Sequence, residues 1–287
     1  MLNTLDTNIP HLLKDTGRLP ISCGDQHIAK LLGNRKHYVR TYGIFADQPQ
    51  HQSTKYIPSI EMSFPNFLQS IKNGTAQKEG LYWAMYSGQG DQDDVFQSDL
   101  QRLISFKQVE KLQLNWLNAK DTNSFSLWIA PPGHTEQLHY DGYANLHFQL
   151  HGSKKWTLFP PDTSLSPVSC CRCMNTNQFG DLNFSRLTMK QAKKLETPIV
   201  ITVNAGECIY VPAGWWHQVE GSNGGNEKID WVASVNWFEP TSSARSSCRC
   251  CKWRFFRLIV GNFWDGIVER FCPGEIPIVE MPAPRSK

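Results

Sequence analysis

The stretch Leu138-His139-Tyr140-Asp141-Gly142-Tyr143-Ala144-Asn145-Leu146-His147-Phe148-Gln149-Leu150-His151-Gly152-Ser153-Lys154 decides how this chain is read. From Asn145 to His151 polar and apolar residues alternate strictly, the period of a β-strand, with Asn145, His147, Gln149 and His151 on one face. A barrel wall whose lumen were simply core would not carry four polar side chains on one face, so that face is wet or functional. Immediately upstream, His139 and Asp141 are two apart at the end of another extended run. They project from the same side and can grip one ion together.

Outward from this stretch, residues 123–239 consist of short β-rich runs bounded by Pro, Gly, Asn and Asp: 124–130, 144–150, 155–159, 199–203, 207–211 and 229–238. Runs this short and this dense predict a β-sandwich or barrel. Asn204-Ala205-Gly206 supplies a tight turn between two of them, and residues 162–195 read as an irregular or partly helical crossing. Upstream, residues 1–122 read as a mixed α and β portion packing on the barrel. It has a strand over 37–45, a short helix over 62–71 closed by Asn73-Gly74, a strand over 81–86 and a helix over 99–114. Downstream, residues 241–287 read as a helical extension, with Phe255, Leu258, Ile259, Phe263, Ile267 and Phe271 at helical spacing. The expected architecture is thus mainly β with flanking helices, in three portions: 1–122, 123–240 and 241–287.

Composition narrows the function classes. The 287 residues are 40% hydrophobic, enough for a large core, and 29 basic residues against 26 acidic ones leave a net charge of only +3. That balance does not suit a general polyanion binder, so nucleic acid is a disfavoured partner. The excess lies beyond Thr241, where eight basic residues meet four acidic ones. Nine cysteines are too dilute for a disulfide scaffold. The N-terminal residues lack a signal-peptide pattern, and no stretch approaches the roughly 18 apolar residues of a membrane span. A soluble protein with reduced thiols, cytoplasmic or nuclear, is expected.

His139 and Asp141 need a third ligand from elsewhere. His217, in Tyr210-Val211-Pro212-Ala213-Gly214-Trp215-Trp216-His217, follows a strand and a Pro/Gly turn able to bring a later strand beside the first. Two imidazoles and one carboxylate form the facial set that suits non-haem Fe(II) and leaves positions open for other ligands. Lys154 stands just beyond the alternating strand. A lysine facing inward is costly unless it meets an anion, so a carboxylate-bearing co-substrate is its natural partner; its other reading is an ordinary rim lysine.

Leu138-His139-Tyr140-Asp141, Asn145, Gln149, Gly152, Lys154 and Leu158-Phe159-Pro160-Pro161 resemble the first half of a Jumonji-C (cupin-like) 2-oxoglutarate oxygenase. The stretch from Gly206 to Glu220, then Asn223-Gly224-Gly225 and Val235-Asn236-Trp237, resembles the second half, with the nearest likeness to asparaginyl hydroxylases of the factor-inhibiting-HIF type. The resemblance implies a double-stranded β-helix (jelly-roll, cupin) barrel. It implies Fe(II) on His139, Asp141 and His217, and 2-oxoglutarate with its distal carboxylate on Lys154 and Tyr82 and its metal end near Asn145 and Asn236. Relatives often place Thr or Ser three residues before the first ligand, where this chain has Glu136. Either Glu136 points away, or Thr135 takes that role through a local shift.

The implied activity is a dioxygenase reaction. Dioxygen and 2-oxoglutarate yield succinate and carbon dioxide, and a protein or peptide side chain is hydroxylated. The same family implies two alternatives, an RNA-modifying hydroxylase and a histone lysine demethylase. A further rival from another class is a non-catalytic, metal-binding cupin that serves as a binding module. Cys170-Cys171-Arg172-Cys173 and Cys248-Arg249-Cys250-Cys251 are near mirror images, and the Cys-x2-Cys spacing in them is a weak signal for a zinc site. The apolar stripe of the C-terminal helix suits a homodimer contact, and its basic residues beside Trp253 and Phe255 suit peripheral membrane contact.

Overall fold

The computed structural model describes residues 5–16, 30, 32–34, 36–40, 44–45, 59–86, 110–114, 125–141, 143–161, 163, 197–225 and 230–239. Most of the expected helix over 99–114, the crossing over 162–195, both cysteine clusters and the C-terminal extension lie outside these residues. Of the helix, Glu110 to Leu112 form a 3-10 turn.

Thirteen strands and two helices make up the described fold. In chain order they are β1 (His11–Leu13), β2 (Lys36–Arg40), β3 (Ile44–Phe45), β4 (Ser59–Ser63), α1 (Phe64–Lys72), α2 (Thr75–Glu79) and β5 (Trp83–Tyr86). There follow β6 (Phe125–Ala130), β7 (His134–Tyr140), β8 (Asn145–His151), β9 (Ser153–Phe159), β10 (Ile199–Asn204), β11 (Cys208–Val211), β12 (Trp216–Ser222) and β13 (Val232–Phe238). A six-stranded sheet has the order β1-β11-β8-β13-β6-β5, and a five-stranded sheet has the order β10-β9-β12-β7-β3. All pairings in both are antiparallel. From β6 to β9 and again from β10 to β13 consecutive strands alternate between the two sheets, which is the winding of a double-stranded β-helix.

The period-two pattern sorts the two faces of the six-stranded sheet. Leu127, Ile129, Leu146, Phe148, Leu150 and Val235 point outward and pack with Trp83 and with Phe64, Phe67 and Ile71 of α1. The other face looks into the lumen. There an apolar floor of Trp156, Leu158, Val203, Ile209, Val211, Trp215 and Val219 joins residues of both sheets. Every residue of β8 is buried, so its polar face is enclosed and not simply solvated.

Local signals place the elements. Ser63 caps α1 by accepting a hydrogen bond from the Asn66 backbone N–H, and Pro65 occupies the first turn where its missing donor costs nothing. Gly152, at φ +68°, turns β8 directly into β9, a conformation that L side chains rarely adopt. Strand β3 stands apart from β2, so the single expected strand over 37–45 is two short ones serving different sheets.

Candidate metal centre and anion pocket

Three ligand atoms, one each from His139, Asp141 and His217, lie within 4.8 Å of one another. His139 and His217 face each other across the β7–β12 pair in direct register, with ring centroids 4.2 Å apart. His217 Nε2 is 3.6 Å from Asp141 Oδ2, and His139 Nε2 is 4.0 Å from Asp141 Oδ1. The turn before β12 fixes Asp141 as well, because the Gly214 N–H donates to the Asp141 carbonyl over 2.8 Å. The sequence-predicted trio therefore meets through two tethers, a strand register and a turn.

The protonation states suit a cation. The Trp215 carbonyl accepts a hydrogen bond from His217 Nδ1 at 2.9 Å, which leaves the Nε2 lone pair facing Asp141. Burial, followed by His139, pushes the His217 imidazole well below its ordinary pKa, so the ring is neutral. Burial also raises the Asp141 carboxyl, with His139 opposing and Glu136 adding to the rise. A divalent cation would relieve this uncompensated carboxylate. His139 and Asp141 side chains keep 15% and 24% exposure against 3% for His217, so the cluster is open on the β7 side. Two imidazole donors, a carboxylate and an open side fit a metal that must take further ligands.

One strand-width along, Lys154 occupies a second polar site. It is paired with Gly221 of β12, whose missing side chain leaves room beside it. Lys154 Nζ donates to Ser234 Oγ at 2.7 Å, and burial lowers its pKa to about 8, with Glu136 opposing. Tyr82 is buried against this region, with its ring 4.6 Å from His134 and stacked on Trp128. Its hydroxyl accepts a hydrogen bond from Arg40 Nη1 at 2.8 Å, which fixes the phenol in place. Burial, then Lys154, then Arg40 depress the His134 pKa to about 3, so His134 is neutral between two cations.

The polar row of β8 supplies the remaining wall. The side chains of Asn236 and His147 meet at 2.7 Å, His147 Nε2 lies 3.3 Å from Gln149 Oε1, and the His147 ring stands edge-on to Trp156 at 4.9 Å. Asn145 is buried and its Oδ1 has no hydrogen-bond partner among the described residues. A buried amide left open in this way marks a wall that expects a polar ligand. Asn145 and Asn236 are thus on the polar lumen wall, as the resemblance implied.

Thr135 is not. The β7–β12 register slips between His217 and Val219, so Glu136 lies opposite Val219 and Thr135 opposite Glu220. Val219 belongs to the lumen floor, whereas Glu220 pairs with the exposed Lys155 on the outer side. The bulge therefore turns Glu136 inward and Thr135 outward, where the Thr135 hydroxyl donates to the Gly133 carbonyl at 3.4 Å. The expectation that Thr135 would take the place of the missing Thr or Ser is corrected by that one extra residue.

Sequence reasoning also passed over Arg40, His134, His147 and Ser234. The alternation of β8 already marks His147 as inward. Arg40 carries no local signal, because it reaches Tyr82 through an isolated β-bridge between segments 42 residues apart.

The cupin-like domain family matches over residues 42–244. The human protein named HSPB1-associated protein 1 is 35% identical over 100 residues, covering 33% of this chain and 20% of that protein. Its zebrafish (Danio rerio) homolog is 32% identical over 105 residues, covering 35% and 23% respectively. The Arabidopsis thaliana protein named lysine-specific demethylase JMJ31 is 31% identical over 116 residues, covering 37% and 20%. This chain thus aligns with less than a quarter of the length of these relatives. With the alternating antiparallel sheets, the enclosed polar lumen and the matched span of residues 42–244 taken together, the chain belongs to the cupin-like domain family.

Proposed function

We propose that this protein is an Fe(II)- and 2-oxoglutarate-dependent dioxygenase that hydroxylates a protein or peptide side chain. The observation that carries the reading is the pairing, in one lumen, of the His139–Asp141–His217 cluster with a half-buried lysine one strand away. His139, Asp141 and His217 would hold the metal. Lys154, steadied by Ser234, would receive the distal carboxylate of the co-substrate. Tyr82, held by Arg40, would stand beside the same carboxylate. Asn145 and Asn236 would hydrogen-bond the metal end, and the Trp156–Val219–Ile209 floor would exclude water from the reacting centre. When bound, Fe(II) and 2-oxoglutarate supply the oxidising power for a C–H bond, with succinate and carbon dioxide as by-products.

The test is succinate formation from 2-oxoglutarate by the full chain, with Fe(II) and dioxygen, beside His139→Ala and Asp141→Ala. Wild-type turnover that both substitutions abolish is the expected result; absence of both metal and 2-oxoglutarate binding would leave a non-catalytic binding module. The names of the Arabidopsis relatives favour a second reading, lysine demethylation. Peptide mass decides between them, by gain of one oxygen or loss of a methyl group. The HSPB1-associated names favour a protein partner, and the proposed compartment is the cytoplasm or nucleus.

A further inference from the structure

The bulge in β7 has an electrostatic consequence for the lumen. Along the inner face of the five-stranded sheet, His139–His217–Leu158 form one row across β7, β12 and β9, and Glu136–Val219–Trp156 form the next. Lys154 stands in the third row, beside Gly221, where no side chain separates it from β7. Glu136 therefore lies between the metal cluster and the lysine. Its charge acts on both, opposing the fall of the Lys154 pKa and adding to the rise of Asp141. The other groups around Lys154 are the Ser234 hydroxyl and, from β7 and β2, the neutral His134 and the cationic Arg40.

We infer that Glu136 is a specificity-determining residue of the anion pocket: a counter-charge one row from Lys154 that weakens binding of a dicarboxylate more than that of a monocarboxylate 2-oxo acid. The inference rests on the proposed 2-oxoglutarate site. Its physical basis is simple competition. An ammonium already facing an internal carboxylate has less to gain from a second one, and the entering carboxylate is repelled by the first at low effective dielectric. A monocarboxylate bound only at the metal end has no second carboxylate to place beside Lys154 and so meets less of this repulsion.

The test uses the full chain loaded with Mn(II), a redox-inert probe, and titrates 2-oxoglutarate and pyruvate separately into wild type, Glu136→Gln and Glu136→Thr. Both substitutions should tighten 2-oxoglutarate by roughly tenfold. Pyruvate should tighten by less than 2-oxoglutarate, and Mn(II), which loses a nearby negative charge, should bind no more tightly than in wild type. Unchanged or weaker 2-oxoglutarate binding overturns the inference, and so does equal tightening of pyruvate, which would put the effect of Glu136 at the metal. A second readout needs no co-substrate: the Nζ resonance of Lys154, assigned by its loss in Lys154→Gln, should titrate at lower pH in Glu136→Gln than in wild type. If no variant binds either 2-oxo acid, the oxygenase reading fails, and this titration still decides whether Glu136 acts on Lys154. An unmoved midpoint sinks the inference.

Discussion

Trp156 joins the metal cluster to the apolar floor. It is fully buried, its ring is 5.3 Å from His217 and 4.9 Å from His147, and it contacts residues of both sheets. Trp156→Ala should cost about 3–5 kcal/mol, measured by chemical denaturation, because the closed lumen cannot collapse onto the cavity. Trp156 Nε1 has no hydrogen-bond partner among the described residues, so Trp156→Phe gives up no such bond and should cost well under half as much. A phenylalanine variant as unstable as the alanine one would place a polar contact at that nitrogen. At this scale the sequence was informative where a motif bound a residue to its neighbours, as with His139 and Asp141. It was silent on Arg40, whose role depends on a partner that reaches it only in the folded chain.

Among the elements, the turn that carries the chain from β8 of one sheet to β9 of the other and the bulge of β7 do the most to shape the site. Gly152 makes this crossing at φ +68°, and a Cβ there would come within 3.1 Å of the Ser222 carbonyl oxygen and of Val232 Cγ2. Strain and contact act together, so Gly152→Ala should destabilise the fold by about 1–3 kcal/mol, read from the shift in denaturation midpoint at unchanged slope. Gly74 also has a positive φ, but nothing lies within 4 Å of a Cβ placed there, so Gly74→Ala should cost less. Most strands of the barrel were legible from alternation and turn residues. The bulge was not: strict period two predicts that Thr135, His139 and Asp141 share a face, and one unpaired residue exchanges Thr135 for Glu136.

Across the whole molecule, the enclosed lumen keeps imidazoles neutral that would be protonated in an unfolded chain. Burial depresses His134 to about 3 and His147 well below its ordinary value. Between roughly pH 6.5 and 3 the unfolded chain therefore binds more protons at these positions than the native one, and stability falls as pH falls through that window. Each such histidine contributes up to about 1.4 kcal/mol per pH unit. Asp141, with its raised carboxyl, works in the opposite direction over the acid part of the range. Denaturation of the metal-free protein in a chelator should show a clear loss of stability from pH 6.5 to 5; a flat profile would mean that these imidazoles are solvated. No helix among the described residues is long and apolar enough to cross a membrane.

The sequence by itself determined the β-rich barrel, the inward polar face of β8 and the three prospective metal ligands. The first two and the His139–Asp141 pair are written in the two-residue repeat of a strand and in turn chemistry, while His217 joins them through the resemblance to Jumonji-C oxygenases. Tertiary structure alone decided what surrounds Lys154: Ser234 from a strand 80 residues later, Tyr82 and Arg40 from the front of the chain, and Glu136 through a bulge. Register between distant strands has no local signature, because it is set by which faces can be buried together once both sheets are assembled.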